Sequence, residues 1–267
     1  MATNKSEFSE ENAVLYEAVA GLGKLTLNRP EQYNTLSSSV ISELQRHLEN
    51  IADDKDIRVV IIAANGKAFS AGHNLKEMRA SEEKEFHQLL FDQCGRMMQT
   101  ISKIPQPVIA QVQGIATAAG CQLVAACDLA VAADSARFAV SGINVGLFCS
   151  TPAVPLSRNL NRKQAMRMLL TGDFIDAETA RQYGLVNEVV PDDELADATQ
   201  DLANKILAKS PLAITVGKEM FYQQLKMDLN QAYDFASKTM ACNMDSDDAR
   251  EGIDSFIEKR QPEWKGR

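Results

Sequence analysis

Two glycine-containing segments carry residue types suited to stabilising negative charge. The first segment (65–75) reads "NGKAFSAGHNL" and the second segment (113–123) reads "QGIATAAGCQL". Both contain two glycines at the same separation, 66 and 72 in the first and 114 and 120 in the second. Small side chains let a ligand approach the backbone, and a helix start presents unpaired N–H groups. Lying side by side, the two segments could direct two N–H donors at one oxygen, which is the geometry of an oxyanion hole.

A structural explanation of the same residues stays open. Alanine and glycine also allow a helix to pack tightly against a sheet, without any ligand. The matched spacing of the two segments favours chemistry more than either segment would alone. It predicts two neighbouring strand–loop–helix units whose loops are equivalent.

The elements that would position these segments follow from hydrophobic periodicity. Residues 14–19 and 24–27 predict a hairpin, and apolar runs beginning at 58, 106 and 128 predict buried strands. Strands that alternate with helices and precede a helical tail predict an α/β fold, here as one domain with a helical C-terminal extension. Helices are predicted over 37–51, 86–102, 121–127, 162–170, 177–183, 194–209, 212–232 and 246–259, with a short extended stretch from 184.

Composition excludes several classes of function. The net charge of −8 disfavours a nucleic-acid partner, and no apolar run is long enough to span a membrane. The five cysteines and three histidines show no metal-ligand spacing, so we expect reduced thiols and no metal. The opening residues resemble neither a secretory nor a transit sequence, which predicts a cytoplasmic protein.

Five stretches together resemble one known family over nearly the whole chain. They read "LNRPEQYNTLS", "AFSAGHNLKEM", "GIATAAGCQLVAACDLAVAAD", "LLTGDFIDAETARQYGLVNEVVP" and "DAREGIDSFIEKRQPEW". This pattern is similar to the crotonase superfamily, the enoyl-CoA hydratase/isomerase family. The resemblance implies an α/β fold with a crotonase-like ββα spiral over 1–200 and a helical trimerisation region over 201–267. It also implies a homotrimer or hexamer and a lyase or isomerase that stabilises the enolate of an acyl-CoA, with coenzyme A present only as part of the substrate.

The resemblance assigns site residues by motif. The oxyanion donors would be the backbone N–H groups of His73 and Ala119, and the ring of His73 could then be a tolerated surface side chain. The remaining assignments concern coenzyme A, and solvated surface charge is the alternative for each lysine. They are Ala68, Ala71, Asn74 and Leu75 along the coenzyme A path, Lys67 and Lys76 at its phosphates, and Lys259 reaching the coenzyme of this subunit or its neighbour.

The chain departs from the family pattern at two positions. Hydratases of the family use two glutamates to position water and move its proton, and the motifs place Gln122 and Gly142 there. Neither an amide nor a glycine can act as a general acid or base near neutral pH. Because such catalysis contributes about 10² to 10⁴-fold, we expect efficient hydration to be lost.

Two other activities fit the departure. Decarboxylation of a malonyl-type thioester needs no base at carbon, and "SAGHN" looks like the "SAGHD" of methylmalonyl-CoA decarboxylases. A non-catalytic acyl-CoA-binding protein is the second alternative. The polar candidates near the reacting group are Asn144, Cys149, Ser150 and Thr151. Each has a structural alternative, as a loop hydrogen bond, a small buried hydrophobe or a helix cap. Asp128 is interpreted as a turn or capping residue.

Overall fold

The computed structural model of the protein describes residues 13–267. The opening residues, on which the prediction of no targeting sequence depends, lie outside this range. The strands are β1 (Val14–Val19), β2 (Leu22–Leu27), β3 (Val59–Ala64), β4 (Ala68–Ser70), β5 (Val108–Val112), β6 (Ile115–Thr117), β7 (Leu129–Ala133), β8 (Arg137–Ala139), β9 (Ile175–Asp176) and β10 (Glu188–Val190). The helices are α1 (Ser38–Asp53), α2 (Leu75–Ala80), α3 (Lys84–Lys103), α4 (Ala119–Ala126), α5 (Ser150–Asn159), α6 (Arg162–Thr171), α7 (Ala177–Tyr183), α8 (Leu195–Leu207), α9 (Pro211–Gln224), α10 (Leu229–Met244) and α11 (Asp247–Glu258).

The larger sheet has the strand order β1-β2-β3-β5-β7-β10. Strands β1 and β2 are antiparallel, and all other pairs in this sheet are parallel. The hairpin turns at Ala20 and Gly21, which both have positive φ, the conformation of a two-residue hairpin turn. The predicted hairpin and the three predicted buried strands are therefore confirmed.

A smaller sheet with the order β4-β6-β8-β9 runs beside the larger one. Its strands have two or three residues, too few for periodicity to reveal. Each of β4, β6 and β8 follows a strand of the larger sheet, so the chain makes repeated turns of long strand, short strand and helix. Parallel pairing of β3 with β5 and of β4 with β6 confirms that the two segments belong to neighbouring units.

The larger sheet separates two clusters of buried side chains. In β3, Val60 and Ile62 join the main cluster, whereas Val59 and Ile61 join the other. Burial on both faces explains why the strand reads as a continuous apolar run. Helix α1 contributes five side chains at helical spacing to the main cluster, and α8 covers the second face: the α1 side chains are Val40, Ile41, Leu44, Leu48 and Ile51.

The C-terminal helices α9, α10 and α11 pack mainly on one another. The single helix predicted over 212–232 is wrong. Helix α9 ends at Gln224, and the side chain of Asp228 caps α10 by accepting the N–H of Gln231 at 3.0 Å. The boundary we place after residue 200 falls inside α8. Between residues 13 and 267, helices with the length and apolar character to cross a bilayer are absent.

A buried ion pair attaches α9 to the sheet. The Lys218 ammonium donates to Asp128 Oδ2 at 2.7 Å and to the carbonyl oxygens of Ile101 and Gln106 at 2.8 Å. Tyr222 donates its hydroxyl to the other oxygen of Asp128 at 2.7 Å. Burial lowers the pKa of Lys218, and the carboxylate of Asp128 opposes this shift. Asp128 thus has a structural role, in line with its interpretation as a turn residue.

Replacing Lys218 alone should destabilise the protein strongly. Lys218→Met leaves the carboxylate of Asp128, whose side chain is 14% exposed, without its cation. Breaking a buried pair on one side costs about 3–5 kcal/mol, measurable by urea unfolding. The double variant Asp128→Asn/Lys218→Met should lose less than Lys218→Met. A single variant as stable as the parent would show that the pair does not attach α9.

Candidate active site

The two glycine-containing segments lie against each other where β4 pairs with β6. A Cβ atom on Gly114 would overlap the carbonyl oxygen of Lys67, and one on Gly120 would overlap that of Ser70. Gly72 has φ +86°, and its Cβ would lie 2.9 Å from the backbone nitrogen of Ala119. Any larger residue at these three positions would push the segments apart, so the glycines permit a direct contact between two backbones.

This contact brings two free backbone donors to one place. Ala119 is the first residue of α4, and the residue before it offers no side-chain cap. His73 directly follows Gly72, the residue in contact with Ala119 nitrogen. The N–H groups of His73 and Ala119 hydrogen-bond to no atom of residues 13–267. The structure therefore brings together the two positions that the resemblance selects.

Ala118 holds an unusual backbone conformation directly before α4. Its φ of 51° and ψ of −118° lie in a region that favours glycine. Its N–H donates to Ala139 oxygen and its oxygen accepts from Gln122 N–H, both at 3.0 Å. These two hydrogen bonds hold the peptide groups on both sides of Ala118, and with them the direction in which α4 begins.

The ring of His73 is partly buried against α3. It meets Phe91 edge-on with a centroid distance of 5.4 Å, and its Nε2 is buried without a partner among the described residues. Burial lowers the pKa of His73 to about 4, although Glu77 acts in the opposite direction. The imidazole is therefore neutral at pH 7 and is not simply a surface side chain.

Gln122 lies in the first turn of α4 and is 3% exposed. Within residues 13–267, its Oε1 is buried and has no hydrogen-bond partner. A buried polar atom without a partner is rare and points to a missing donor. The amide can accept a hydrogen bond from a ligand, but it cannot take a proton.

Gly142 lies in a short 3-10 turn that leaves little room for a side chain. Its N–H donates to Cys149 Sγ at 3.3 Å, and a Cβ would lie 2.6 Å from Leu147 oxygen. Burial raises the pKa of the Cys149 thiol, which stays protonated at neutral pH. Asn144 is exposed and donates to Gly172 oxygen at 3.5 Å. These contacts give Cys149 a structural role and place Asn144 on the surface.

A pair of hydroxyl groups was not found by sequence reasoning. Thr117, at the end of β6, and Ser141, beside Gly142, lie 2.8 Å apart between their oxygens. Pairing of β6 with β8 brings them together, and no motif or spacing signals it. Ser150 and Thr151, the other hydroxyl candidates, form the first turn of α5.

The residues assigned to coenzyme A occupy different environments. Lys67, Leu75 and Lys76 are exposed, whereas Ala68 is buried. Asn74 caps α2, because its Oδ1 accepts the N–H groups of Lys76 and of the next residue at 3.1 and 3.2 Å. The half-buried Ala71 donates its N–H to the carbonyl oxygen of residue 33 at 2.9 Å. Lys259 is exposed after the end of α11, in a left-handed conformation.

Replacing Ala118 with glycine should stabilise the protein. The strained conformation costs about 1–3 kcal/mol, which glycine would relieve. The extra freedom of glycine in the unfolded chain opposes this gain by about 0.4–1 kcal/mol. We expect Ala118→Gly to raise the free energy of unfolding by about 1 kcal/mol in urea titrations. The control Ala125→Gly, inside α4, should lower it. A loss of stability in Ala118→Gly would mean that the backbone there is not strained.

Comparison with known proteins identifies close relatives. The chain superposes on a crystal structure of an enoyl-CoA hydratase from Mycobacterium smegmatis with TM-score 0.94 and 52% identity, covering 95% of this chain and 99% of that one. The crystal structure of human enoyl coenzyme A hydratase domain-containing protein 3 gives TM-score 0.92 and 44% identity over 94% and 99% of the two chains. The crotonase-like fold is therefore confirmed.

A curated relative gives the same assignment. Mitochondrial enoyl-CoA hydratase domain-containing protein 3 from Xenopus laevis is 48% identical over 91% of this chain and 83% of that protein. Its name, like those of its vertebrate counterparts, contains the word mitochondrial, so our prediction of a cytoplasmic location is wrong. The model of the enoyl-CoA hydratase/isomerase family matches residues 17–267. The chain belongs to the enoyl-CoA hydratase/isomerase family.

Proposed function

We propose that this protein binds an acyl-CoA thioester and stabilises its enolate with the backbone N–H groups of His73 and Ala119. The observation that carries the proposal is that both donors lack an acceptor within residues 13–267 while their segments are in backbone contact. A thioester oxygen between them would complete both hydrogen bonds. We also infer that the protein shares the location of its relatives named mitochondrial.

The two N–H donors act on the negative charge of the thioester oxygen. As the substrate becomes an enolate, negative charge moves onto the thioester oxygen, and fixed N–H donors bind the charged form more tightly than the neutral one. One such donor is worth about 2.7–4 kcal/mol in enzymes of known mechanism. Ala119 also begins α4, whose positive dipole end adds to the effect.

Hydration is not the reaction we propose. Gln122 would take the place of one catalytic glutamate and Gly142 that of the other, so water would have no general base. A side chain at position 142 would itself meet Leu147 and Cys149, since a Cβ there would lie 2.6 Å from Leu147 oxygen and 2.7 Å from Cys149 Sγ. The protein should still bind the carbonyl but add water slowly.

Decarboxylation of a malonyl-type thioester is a second candidate. Residues 117–122 and 141–149 contain no charged side chain, so a substrate carboxylate would meet no repelling charge from them. Thr117 and Ser141 share one hydrogen bond next to Gly142, which leaves one of their two hydroxyl protons to donate to a ligand. In this reaction the bond to the carboxyl carbon breaks, CO₂ leaves, and the electron pair passes to the enolate oxygen; solvent then supplies the proton.

Coenzyme A would run along the first segment. Lys67, within the segment, and Lys76, directly after it, are exposed and would meet phosphates. Between the two lysines in sequence lie Ala68, Ala71, Asn74 and Leu75. Lys259 would contribute from the C-terminal helices of this subunit or its neighbour. No cofactor beyond coenzyme A in the substrate is part of this proposal.

Three coenzyme A compounds test the function. With crotonyl-CoA we expect hydration about 10² to 10⁴-fold slower than by a relative that has both glutamates. The loss of the enoyl absorbance measures this rate. With methylmalonyl-CoA we expect release of propionyl-CoA, measured by chromatography. Heat unfolding should shift upward with coenzyme A itself.

The possible outcomes distinguish the proposed functions. Hydration as fast as in the glutamate-containing relative would contradict the roles of Gln122 and Gly142. Thermal stabilisation without turnover of either thioester would indicate a binding protein. A protein unaffected by all three compounds would refute thioester binding altogether.

We further propose that the C-terminal helices form a trimer, alone or as half of a hexamer. Phe256 is 85% exposed and Ile257 70%, next to each other on α11. Large exposed apolar patches mark association surfaces. Other exposed apolar side chains on these helices are Phe221, Leu225, Leu229, Tyr233, Met240, Met244 and Ile253.

Light scattering after gel filtration tests the assembly. The parent protein should have three or six times the mass of the chain. Phe256→Asp/Ile257→Asp should lower the assembled mass, because it places charges on the apolar surface, whereas the neighbouring Asp254→Ser should not. A monomeric parent protein would contradict the proposal.

A further inference from the structure

A tight turn before α1 holds the first segment by five backbone and side-chain hydrogen bonds. Within the turn (residues 29–36), Asn34 has φ 51° and is 2% exposed. Its Oδ1 accepts the N–H of Arg29 at 2.8 Å, and its own N–H donates to Arg29 oxygen at 2.9 Å. These two bonds close the turn on itself, and asparagine is among the residues that best tolerate a left-handed conformation.

The side-chain amide of Asn34 also reaches the first segment directly. Its Nδ2 donates to the carbonyl oxygens of Asn65 and Ala68 at 2.9 and 2.8 Å. Both N–H donors of Nδ2 are therefore used on backbone oxygens of the first segment. Because the bond to Ala68 is buried, losing the amide would remove a donor from a carbonyl oxygen that solvent does not reach.

Backbone groups of the closed turn hold the other end of the first segment. Tyr33 oxygen accepts the N–H of Ala71 at 2.9 Å, and Leu36 N–H donates to Gly72 oxygen at 2.8 Å. The second of these bonds involves the peptide whose nitrogen belongs to His73. The position of the His73 N–H thus depends on the conformation of the turn.

Ser70 connects the turn to both segments. It is fully buried, and its hydroxyl donates to Asn34 oxygen at 2.8 Å while accepting the N–H of Gly72 at 3.2 Å. Its carbonyl oxygen is the atom that would meet a Cβ on Gly120, the residue after Ala119. One residue therefore touches the neighbours of both proposed donors, Gly72 beside His73 and Gly120 beside Ala119.

We propose that Asn34 and Ser70 are positioning residues: they set the distance between the backbone N–H groups of His73 and Ala119. This inference rests on the proposed function. Neither side chain needs to touch a ligand, since each acts through the peptide groups it holds.

The ionisation of bound acetoacetyl-CoA measures the two donors directly. This compound loses a proton from the carbon between its carbonyls to solvent, and the electron pair spreads onto the oxygens. Two aligned N–H groups should lower the pKa of the bound compound relative to the free one. Near-ultraviolet absorbance of the enolate against pH gives this pKa, and calorimetry with coenzyme A alone gives the affinity for the part without a carbonyl.

Ser70→Ala is the main variant, and Asn34→Gly, which keeps the left-handed conformation available, is the second. In both we expect the enolate equilibrium constant of bound acetoacetyl-CoA to fall about 10-fold, with the affinity for coenzyme A changing less than about twofold. The matched control is Thr199→Val, which removes a fully buried hydroxyl whose one partner in the described part of the chain is Leu195 oxygen in α8. It should lower stability and leave the enolate constant unchanged.

Several results would overturn the inference. The first is an unchanged enolate constant in folded Ser70→Ala; if Asn34→Gly does not fold, Ser70→Ala decides alone. The second is an equal effect of Thr199→Val. The third is a parallel loss of enolate formation and coenzyme A affinity, because it would mean general disorder of the site. If the parent protein itself leaves the pKa of acetoacetyl-CoA unchanged, the proposed function fails with the inference, and this result is distinct from the other three.

Discussion

Direct contact between two backbones is the constraint on which the rest of the site depends. Gly72, Gly114 and Gly120 lie where any side chain would strike the facing segment. The two segments can approach this closely only because their strands β4 and β6 pair in parallel. The price of the contact is local strain, which Ala118 carries in a conformation suited to glycine. Strain of this kind persists only where surrounding bonds hold it, and the bonds of Ala118 to Ala139 and Gln122 do so.

The electrostatic character of the site follows from burial as much as from residue type. His73 is neutral because desolvation lowers its pKa to about 4, and Cys149 stays a thiol because burial raises its pKa. Gln122 contributes a buried carbonyl oxygen that no described residue pairs with. A site with free N–H donors and no ionised side chain among 117–122 and 141–149 is suited to binding an anion as it forms. Those two stretches are poorly suited to moving protons, because they contain no side chain that titrates near neutral pH.

Stability and assembly depend on a different set of interactions. The C-terminal helices have few contacts with the sheets, and the ion pair of Lys218 with Asp128 is one of the bonds that attach them. A buried pair of this kind contributes little net stability against an apolar replacement, but it is costly to break on one side. The ion pair therefore determines the position of α9 more than it adds to the free energy of unfolding. These helices also expose large apolar side chains, Phe256 among them.

How much of this could be read from the sequence depends on the range of each interaction. Hydrophobic periodicity located the long strands and most helices, because burial imposes its period on consecutive residues. It failed for β4, β6 and β8, which are too short to show a period, and for the break at Asp228, where a cap ends one helix and begins the next. Motif resemblance selected His73 and Ala119, which the fold then brought together.

The sequence by itself determined the fold family, the paired glycine segments and the lack of an acid or base at Gln122 and Gly142. Only the tertiary structure decided that Thr117 meets Ser141, that Ser70 bridges the turn to both segments, and that Asn34 holds the first of them. The hydrogen bonds among these contacts join residues from 24 to 36 positions apart. They depend on which strands become neighbours, and no local pattern of residue types encodes that choice.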